Sequence, residues 1–325
     1  MSADERQRVL IVGVPRSGTT WVANILVAAS GAGYVEEPDN HFRFASAFAA
    51  KLELGRREYP MLEPHEHGAE TVPYAQLWSR AFSPRRAGRR QRIRQRVGDR
   101  LVSIAGPPQV SKALAAPGSE SSALLRVAKE LAVPHGPDGD AHGLVVKTVY
   151  GPLAAEWITS VGAVDAVVVV VRNPLNVVSS WLGLGWLDRD TRDPVSALAP
   201  AAVEVLGARF GMPPSSRLGQ AAWLVGVQSS VLEEAVQRNP AWHRVVHEEA
   251  CVDAPAVLSR IALRAGLRWS RRGDEMLAAE NREGSGYDVT RVAAELPEAW
   301  RSRLDRDQEH EIRHVIDALP PGPST

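Results

Sequence analysis

The residues with the clearest chemical potential lie in the stretch Val9–Trp21, VLIVGVPRSGTTW. Gly13 and Gly18 have the Gly-x-x-x-x-Gly spacing of a P-loop, the glycine-rich turn between a buried strand and a helix. The backbone N–H groups of residues 15–20 and the positive end of the following helix can form a nest for an anion such as phosphate. Such a nest needs no metal ion.

Two departures separate this loop from that of a nucleoside triphosphate enzyme. Thr19 stands where a P-loop usually has lysine, and the only cation in the turn is Arg16. A second apolar run, Val167–Val171, is followed by Arg172, where a carboxylate that opposes Mg²⁺ would be expected. A cation there repels Mg²⁺ and attracts a second anion. The pattern predicts a nucleotide with phosphates at two separate places and no bound metal.

Both segments resemble those of one enzyme family. Gly13–Trp21, GVPRSGTTW, resembles the 5′-phosphosulfate loop of sulfotransferases that use 3′-phosphoadenosine 5′-phosphosulfate (PAPS). Val168–Trp181, VVVVRNPLNVVSSW, resembles their 3′-phosphate segment. The stretches VVKTVYGPLAAEWI and LPEAWRSRLDRDQEHEIRHVI are similar to later parts of bacterial members, so the resemblance covers most of the chain. It implies an enzyme that transfers a sulfuryl group from PAPS to a hydroxyl or, as a second choice, an amine of a small molecule or glycan, leaving adenosine 3′,5′-bisphosphate.

The resemblance also implies which residues contact the nucleotide. Arg16 would contact the oxygen between phosphate and sulfate, and Trp21 would stack on adenine or, alternatively, face the core. Asn173 can cap a helix that begins at Pro174, which puts Ser180 about two helical turns, roughly 10 Å, along from the strand end. The implied nucleotide-binding set is Arg16, Ser17, Gly18, Thr19, Thr20, Trp21, Arg172 and Ser180.

On the acceptor side, the resemblance points to a base and a cation. Glu37, in the pair Glu37-Pro38, matches the acidic residue thought to be the base in carbohydrate and tyrosine sulfotransferases. His41 is the competing base, because relatives that act on phenols and steroids use a histidine. Lys147 would approach the transferred sulfate, so the catalytic set is Glu37, Lys147, Arg16 and His41. The alternatives are solvated loop side chains for Glu36, Glu37 and His41, and a lysine that snorkels from a strand end for Lys147.

Buried strands, each followed by a helix, must position these residues. Apolar runs predict strands at Val9–Val12, Leu144–Val146 and Val167–Val171. The helices are predicted at Thr19–Ala29, Pro152–Thr159 and Pro174–Leu182. This order predicts a three-layer α/β fold of the P-loop type, with a central parallel sheet flanked by helices. We expect one domain over 1–325, with loop or helical insertions at about 40–140 and 183–220 that could cover the site.

Composition narrows the partners. Lys and Arg total 38, equal to Asp and Glu, so no overall field favours nucleic acid or an anionic membrane. The polar start MSADERQR and the short apolar run behind it predict no signal peptide and no membrane span. The single cysteine, Cys251, suits a reducing compartment, and we expect a cytoplasmic protein.

Several charged stretches are weaker candidates. Arg85 to Arg100 contains eight arginines and one acid, and it predicts a solvated helix with arginines on all sides, or alternatively a site for an anionic glycan or phosphorylated lipid. His65 and His67 lack the partners of a metal site. The group His243, His247, Glu248 and Glu249 is expected to pack beneath the nucleotide loop.

Trp181 and Trp186 could line an acceptor pocket or lie buried. Two other functions stay open at this point: a P-loop kinase that uses ATP and Mg²⁺, and a nucleotide-binding protein without catalysis. The sequence predicts neither the acceptor nor the oligomeric state.

Overall fold

The structure is a computed structural model that describes residues 7–55, 58–83, 88–116, 122–137, 143–188, 193–282 and 295–320. Its centre is a five-stranded parallel sheet with helices around it, and the strand order is β2-β3-β1-β4-β5. The strands are β1 Gln7–Gly13, β2 Gly33–Glu36, β3 Gly143–Thr148, β4 Ala166–Val171 and β5 Trp242–Val246. The predicted α/β class with a parallel sheet is therefore confirmed.

The sheet forms because its inner strands are apolar on both faces. Val9–Val12 of β1 are fully buried, and all six residues of β4 are buried, as continuous valine-rich runs require in a parallel sheet. The predicted strands Val9–Val12, Leu144–Val146 and Val167–Val171 all lie inside observed strands.

The chain divides into two compact units, and the division falls within β1. The first unit comprises the described residues within 1–10, 33–165 and 197–199. The second comprises the described residues within 11–32, 166–196 and 200–325.

In the first unit, β2 and β3 pair in a register that sets Glu36 opposite Lys147. The helix α4, Arg89–Ala115, is interrupted at Gly106, which has a φ of 75° in the left-handed region and precedes two prolines. The helices of this unit are α2 Ala45–Leu54, α3 Val72–Ala81, α4 Arg89–Ala115, α5 Ala123–Glu130 and α6 Ala155–Val161, with short 3₁₀ turns at Ala69–Thr71 and Pro152–Ala154.

In the second unit, β4 and β5 pair in parallel. Its helices are α1 Thr19–Ser30, α7 Pro174–Gly183, α8 Pro200–Phe210, α9 Arg217–Arg238, α10 His247–Val252, α11 Ala254–Arg264, α12 Arg271–Glu280 and α13 Arg306–Asp317; 3₁₀ turns lie at Ala299–Ser302 and, at its boundary with the first unit, Pro194–Ala197. Gly31 ends α1 in the left-handed conformation and donates its N–H to Val27 O at 2.9 Å. None of the helices in the described ranges is long and apolar enough to cross a lipid bilayer.

Candidate functional site

The predicted site residues fall into two groups, one in each unit. The second unit holds the glycine turn after β1 and the segment after β4. The first unit holds Glu37, His41 and Lys147. Each group is described by itself.

The glycine turn is tight at both of its glycines. A Cβ on Gly13 would lie 2.6 Å from Val170 O, and one on Gly18 would lie 2.2 Å from His247 Cδ2. Gly18 also has a φ of 97°, which side chains rarely adopt. Neither position therefore accepts a larger residue without moving its neighbours.

The inside of the turn carries donors for an anion. The first backbone N–H groups of α1 have no acceptor within the helix, as at every helix start. Gly18, which precedes α1, has no side chain that could cap them. The Ser17 hydroxyl is buried and has no hydrogen-bond partner among the described residues. A buried hydroxyl without a partner is costly in a protein, and an anion in the turn would remove that cost.

Arg172 and Ser180 both reach this turn. Arg172 Nη1 donates to the carbonyl oxygen of Arg16 at 3.0 Å, and Arg16 Nε donates to Ser180 Oγ at 3.1 Å. Side chains that the sequence places 156 and 164 residues away from Arg16 thus meet at one loop. This geometry can present two guanidinium groups and a hydroxyl to phosphate oxygens.

Arg172 is a nearly buried cation, and its guanidinium makes only some of the hydrogen bonds that it can donate. Its side chain is 9% exposed, and its Nε has no hydrogen-bond partner within the described chain, although Glu248 Oε1 lies 4.0 Å away. Burial lowers the pKa of Arg172 to about 10, and Glu248 opposes this shift, so the guanidinium is charged at neutral pH. Arg172 also lines a cavity of about 500 Å³, together with Glu248, Arg244 and Arg313.

Glu248 fixes the turn that follows β4. Its Oε1 accepts from Asn173 N at 3.0 Å and from Asn176 Nδ2 at 3.1 Å. Asn173 caps α7 as predicted, since its side chain accepts from Leu175 N at 2.9 Å. From the sequence we expected Glu248 only to pack beneath the loop, and its bonds to Asn173 and Asn176 were not predicted.

Trp21 and His247 form an aromatic corner beside the turn. Their ring centroids are 5.7 Å apart and the rings meet edge to face. Burial, and after it the charge of Arg172, lowers the pKa of His247 well below its ordinary value, so the imidazole is neutral at pH 7. Trp21 is half-buried, which leaves part of its indole available for contact.

In the first unit, Glu37 and Lys147 form an ion pair. Lys147 Nζ donates to Glu37 Oε1 at 2.5 Å, and Asn40 Nδ2 donates to Glu37 Oε2 at 2.8 Å. The Lys147 side chain is 2% exposed, whereas that of Glu37 is 15% exposed. Glu36 pairs with Arg43 near the surface, and its Oε1 also lies 4.0 Å from Lys147 Nζ. Lys147 thus holds one carboxylate oxygen of Glu37 from the buried side.

Backbone strain marks one residue in each group. Arg16 has a φ of 73° and Glu37 a φ of 47°, and no other non-glycine residue in the described ranges has a positive φ. A non-glycine residue in this region costs about 1–2 kcal/mol, and such strain is concentrated at functional sites. The strained positions coincide with two predicted catalytic residues.

His41 lies deeper than Glu37. It is fully buried, and its Nδ1 is 3.1 Å from Lys51 Nζ, which also donates to Glu58 O at 2.7 Å. Burial lowers the pKa of Lys51 to about 8, with Asp39 and Glu58 opposing the shift. His41 therefore belongs to a buried polar cluster.

Asp39 ties this cluster to β3. It accepts from Thr148 Oγ1 at 2.7 Å and from Tyr74 OH at 3.1 Å, and burial raises its pKa. These bonds fix the turn after Glu37 against the residue that follows Lys147. The sequence signalled this only by the polar run PDNH, which did not separate buried from exposed members.

Comparison with family models returned no match, and neither did comparison with curated proteins. Among solved structures, the chain is similar to the sulfotransferase domain from the curacin biosynthetic pathway, with 11% identity, a TM-score of 0.43 and coverage of 97% of this chain and 99% of that chain. Sulfotransferases are the class of structure that this chain is similar to.

Two further similar structures are matched over a smaller share of their own length. Sulfotransferase STF9 from Mycobacterium avium has 13% identity and a TM-score of 0.43, over 96% of this chain and 76% of that chain. Retinol dehydratase, solved with androsterone and the inactive cofactor PAP, has 15% identity and a TM-score of 0.40, over 99% of this chain and 84% of that chain. Nothing about activity follows from likenesses at these identities and scores.

The remaining predicted candidates are structural or exposed. Trp181 is buried, packs against Trp186 and donates its indole N–H to Pro15 O at 3.0 Å, so it supports the glycine turn. His65 and His67 are exposed, and the described residues contain no group of three His, Cys, Asp or Glu side chains that could hold a metal. Arg85 lies outside the described residues.

Proposed function

We propose that this protein is a sulfotransferase that uses PAPS as donor and a hydroxyl group of a small molecule or glycan as acceptor. The observation that supports it best is the chain of contacts from Arg172 through Arg16 to Ser180 at the glycine turn. These contacts hold positive charge at the end of β4, where an enzyme that uses ATP and Mg²⁺ needs a carboxylate to oppose the charge of the metal.

The residues present suit the donor. The buried Ser17 hydroxyl and the first N–H groups of α1 would hold the 5′ end, and Arg172 Nε with Ser180 would hold the 3′-phosphate. Trp21, beside His247, would contact the adenine ring. When bound, PAPS supplies the sulfuryl group that is transferred.

Glu37 is the proposed base. Its carboxylate is held by Lys147 and Asn40 and is partly exposed, so it can accept the proton of an acceptor hydroxyl. The proton would come to rest on a carboxylate oxygen of Glu37. We favour Glu37 over His41 because His41 is enclosed by protein.

Lys147 has two successive tasks in this proposal. Before the reaction its ammonium group holds one carboxylate oxygen of Glu37 in place. Once Glu37 is protonated, its attraction for Lys147 falls, and the ammonium can offset negative charge that develops beside it. Arg16 would carry out the same task at the glycine turn.

A thermal-shift series tests the donor. Adenosine 3′,5′-bisphosphate and ATP are compared, each with Mg²⁺ and with a chelator. We expect the bisphosphate to raise the midpoint equally under both conditions, because its proposed ligands are amides, hydroxyls and guanidinium groups. A rise with Mg²⁺-ATP alone would favour the kinase alternative and contradict the proposal.

Transfer itself is tested with PAPS labelled in the sulfate group. A screen of hydroxyl-bearing metabolites and glycans should yield at least one labelled product, and amines serve as the comparison set. Bisphosphate binding without transfer to any acceptor would leave a nucleotide-binding protein without catalysis. We also place the reaction in the cytoplasm, since Cys251 is the only cysteine and a single cysteine forms no disulfide within the chain.

A further inference from the structure

The first half of α4, residues 89–105, carries apolar side chains on the outside of the first unit. Ile93 is 54% exposed, Val97 is 46% exposed and Ile104 is 56% exposed. Their spacings of four and seven residues align them in one stripe along the helix. Three large aliphatic side chains in a row on a surface are a candidate interaction site.

The opposite side of the same helix packs against the interior of the first unit. Gly98, Val102 and Ala105 are buried, and Val102 and Ala105 pack in a cluster with residues of α2 and α5. The exposed stripe is therefore not part of the core of the unit. It faces away from the helices that hold α4 in place.

Arginines flank the stripe on both sides. At 3.6 residues per turn, Arg89, Arg96 and Arg100 fall on one side of it and Arg90 on the other. All four are exposed, and within the described part of the chain none has an ion-pair or hydrogen-bond partner. We call the stripe and these four arginines the α4 face.

No acid in the described ranges pairs with an arginine of the α4 face. Asp99, the only acid between residues 85 and 100, accepts from Ala45 N at 2.9 Å and pairs with His135 Nε2 at 2.8 Å. Arg94 is also turned aside, because it donates to Glu130 O. Arg89, Arg90, Arg96 and Arg100 are all exposed, so the α4 face keeps four positive charges around an apolar centre.

We propose that the α4 face docks on an anionic lipid surface. A helix of 17 residues is about 25 Å long, and lying in the interface it would bury its aliphatic stripe among acyl chains. Arginines on both sides would keep their guanidinium groups at the level of the lipid phosphates. A nucleic acid would leave the apolar centre unused, and a hydrophobic protein groove would leave the arginines on both sides without an anionic partner.

Vesicle partitioning of the full chain tests the proposal. The protein is sedimented with phosphatidylcholine vesicles and with vesicles in which roughly a third of the lipid is phosphatidylglycerol. We expect binding to the anionic vesicles only, weakened by high salt. Equal binding to both, or binding to neither, overturns the proposal.

Variants localise the effect. Arg96→Gln with Arg100→Gln should lower the partition coefficient roughly 25-fold, since each arginine near an anionic surface contributes about fivefold. Ile93→Ser, Val97→Ser and Ile104→Ser together should lower it at least about tenfold. The matched controls are Arg271→Gln with Arg272→Gln and Val252→Ser with Leu263→Ser, which change exposed residues of the second unit and should alter binding less than about twofold. Equal losses in controls and variants contradict the proposal.

Two other occupants of the α4 face, a second copy of the chain and an acidic protein, would give different results. If the wild type is a dimer that the triple serine variant converts to a monomer, a second copy covers the α4 face and the proposal is wrong. The proposal is also wrong if a polyglutamate peptide displaces the protein from vesicles at low concentration and the triple serine variant no longer binds that peptide. The partner is then an acidic protein. The sulfotransferase proposal does not depend on these results, since bisphosphate binding is measured without lipid.

Discussion

Two buried cations stand at strand ends in different units and are used differently. Arg172 follows β4 in the second unit, and its Nε has no hydrogen bond to a described residue, with its nearest carboxylate oxygen 4.0 Å away. Lys147 lies near the end of β3 in the first unit, and Glu37 Oε1 is 2.5 Å from its ammonium nitrogen. The first cation is under-satisfied and the second is closely paired.

The difference indicates the task of each cation. A buried guanidinium with a free N–H is costly unless an external anion completes its bonds, so Arg172 is suited to binding. A buried ammonium bonded to a carboxylate fixes the position of that carboxylate, so Lys147 is suited to orienting a base.

The largest effect is expected from Glu37→Gln, which removes the base and keeps the shape. Transfer of labelled sulfate should fall about 10²–10⁴-fold, because a positioned general base contributes an effect of that size. Bisphosphate binding should change less than about twofold, because the proposed donor ligands belong to the second unit. The assay is single-turnover transfer with the acceptor found in the screen.

The control for that change is Glu36→Gln. Glu36 pairs with Arg43 near the surface and its Oε1 is 4.0 Å from Lys147 Nζ, against 2.5 Å for Glu37 Oε1, so turnover should stay within about threefold of wild type. Normal turnover in Glu37→Gln would show that Glu37 is not the base. His41→Gln would then be the next variant to test.

A smaller effect is expected from Arg172→Lys, which keeps the charge and removes the planar fork. Affinity for adenosine 3′,5′-bisphosphate, measured by calorimetry, should fall about 10–100-fold, as the loss of charge-assisted hydrogen bonds implies. Arg244→Lys is the control, because Arg244 lines the same cavity but is exposed and paired with Glu233. Equal losses in the two variants would contradict a special role for Arg172.

The smallest effect is on stability, and it tests whether Lys147 is truly paired. Glu37→Gln leaves the ammonium of Lys147 buried without its carboxylate, and we expect the free energy of unfolding to fall by about 2 kcal/mol. Adding Lys147→Met should restore it to within about 1 kcal/mol of wild type. Urea unfolding of the four proteins completes the cycle.

An exposed pair supplies the comparison for this cycle. Glu53 and Lys129 pair with nearly half of each side chain exposed, and Glu53→Gln should cost less than about 0.5 kcal/mol. If Glu37→Gln costs no more than Glu53→Gln, the two buried cations do not differ in the way described.

The strands, the first helices and the cap at Asn173 follow from local pattern. Valine runs without polar interruption specify buried parallel strands, and Asn before Pro specifies a helix start. The pairing of Glu37 with Lys147 was not predictable as a contact, although both residues were candidates. It depends on the register of β2 and β3, which local pattern does not determine.

Burial was the least predictable property of the site. His41 and Glu37 lie four residues apart in one polar segment, yet one is enclosed and the other is partly exposed. Helix α2 supplies Lys51 to His41, 10 residues further along the chain, and helix α3 supplies Tyr74 to Asp39, 35 residues further along. Likewise, the composition of residues 85–100 indicated a basic helix but not that its arginines frame an aliphatic row.

Arg16 is tied at both ends, through its carbonyl oxygen to Arg172 and through its side chain to Ser180. If the proposed nucleotide binds at this turn, its phosphates compete with Arg16 for Arg172 and Ser180. Affinity for that nucleotide is then the difference between the bonds gained and the internal bonds given up, so a variant that weakens only the internal bonds of Arg16 binds it more tightly.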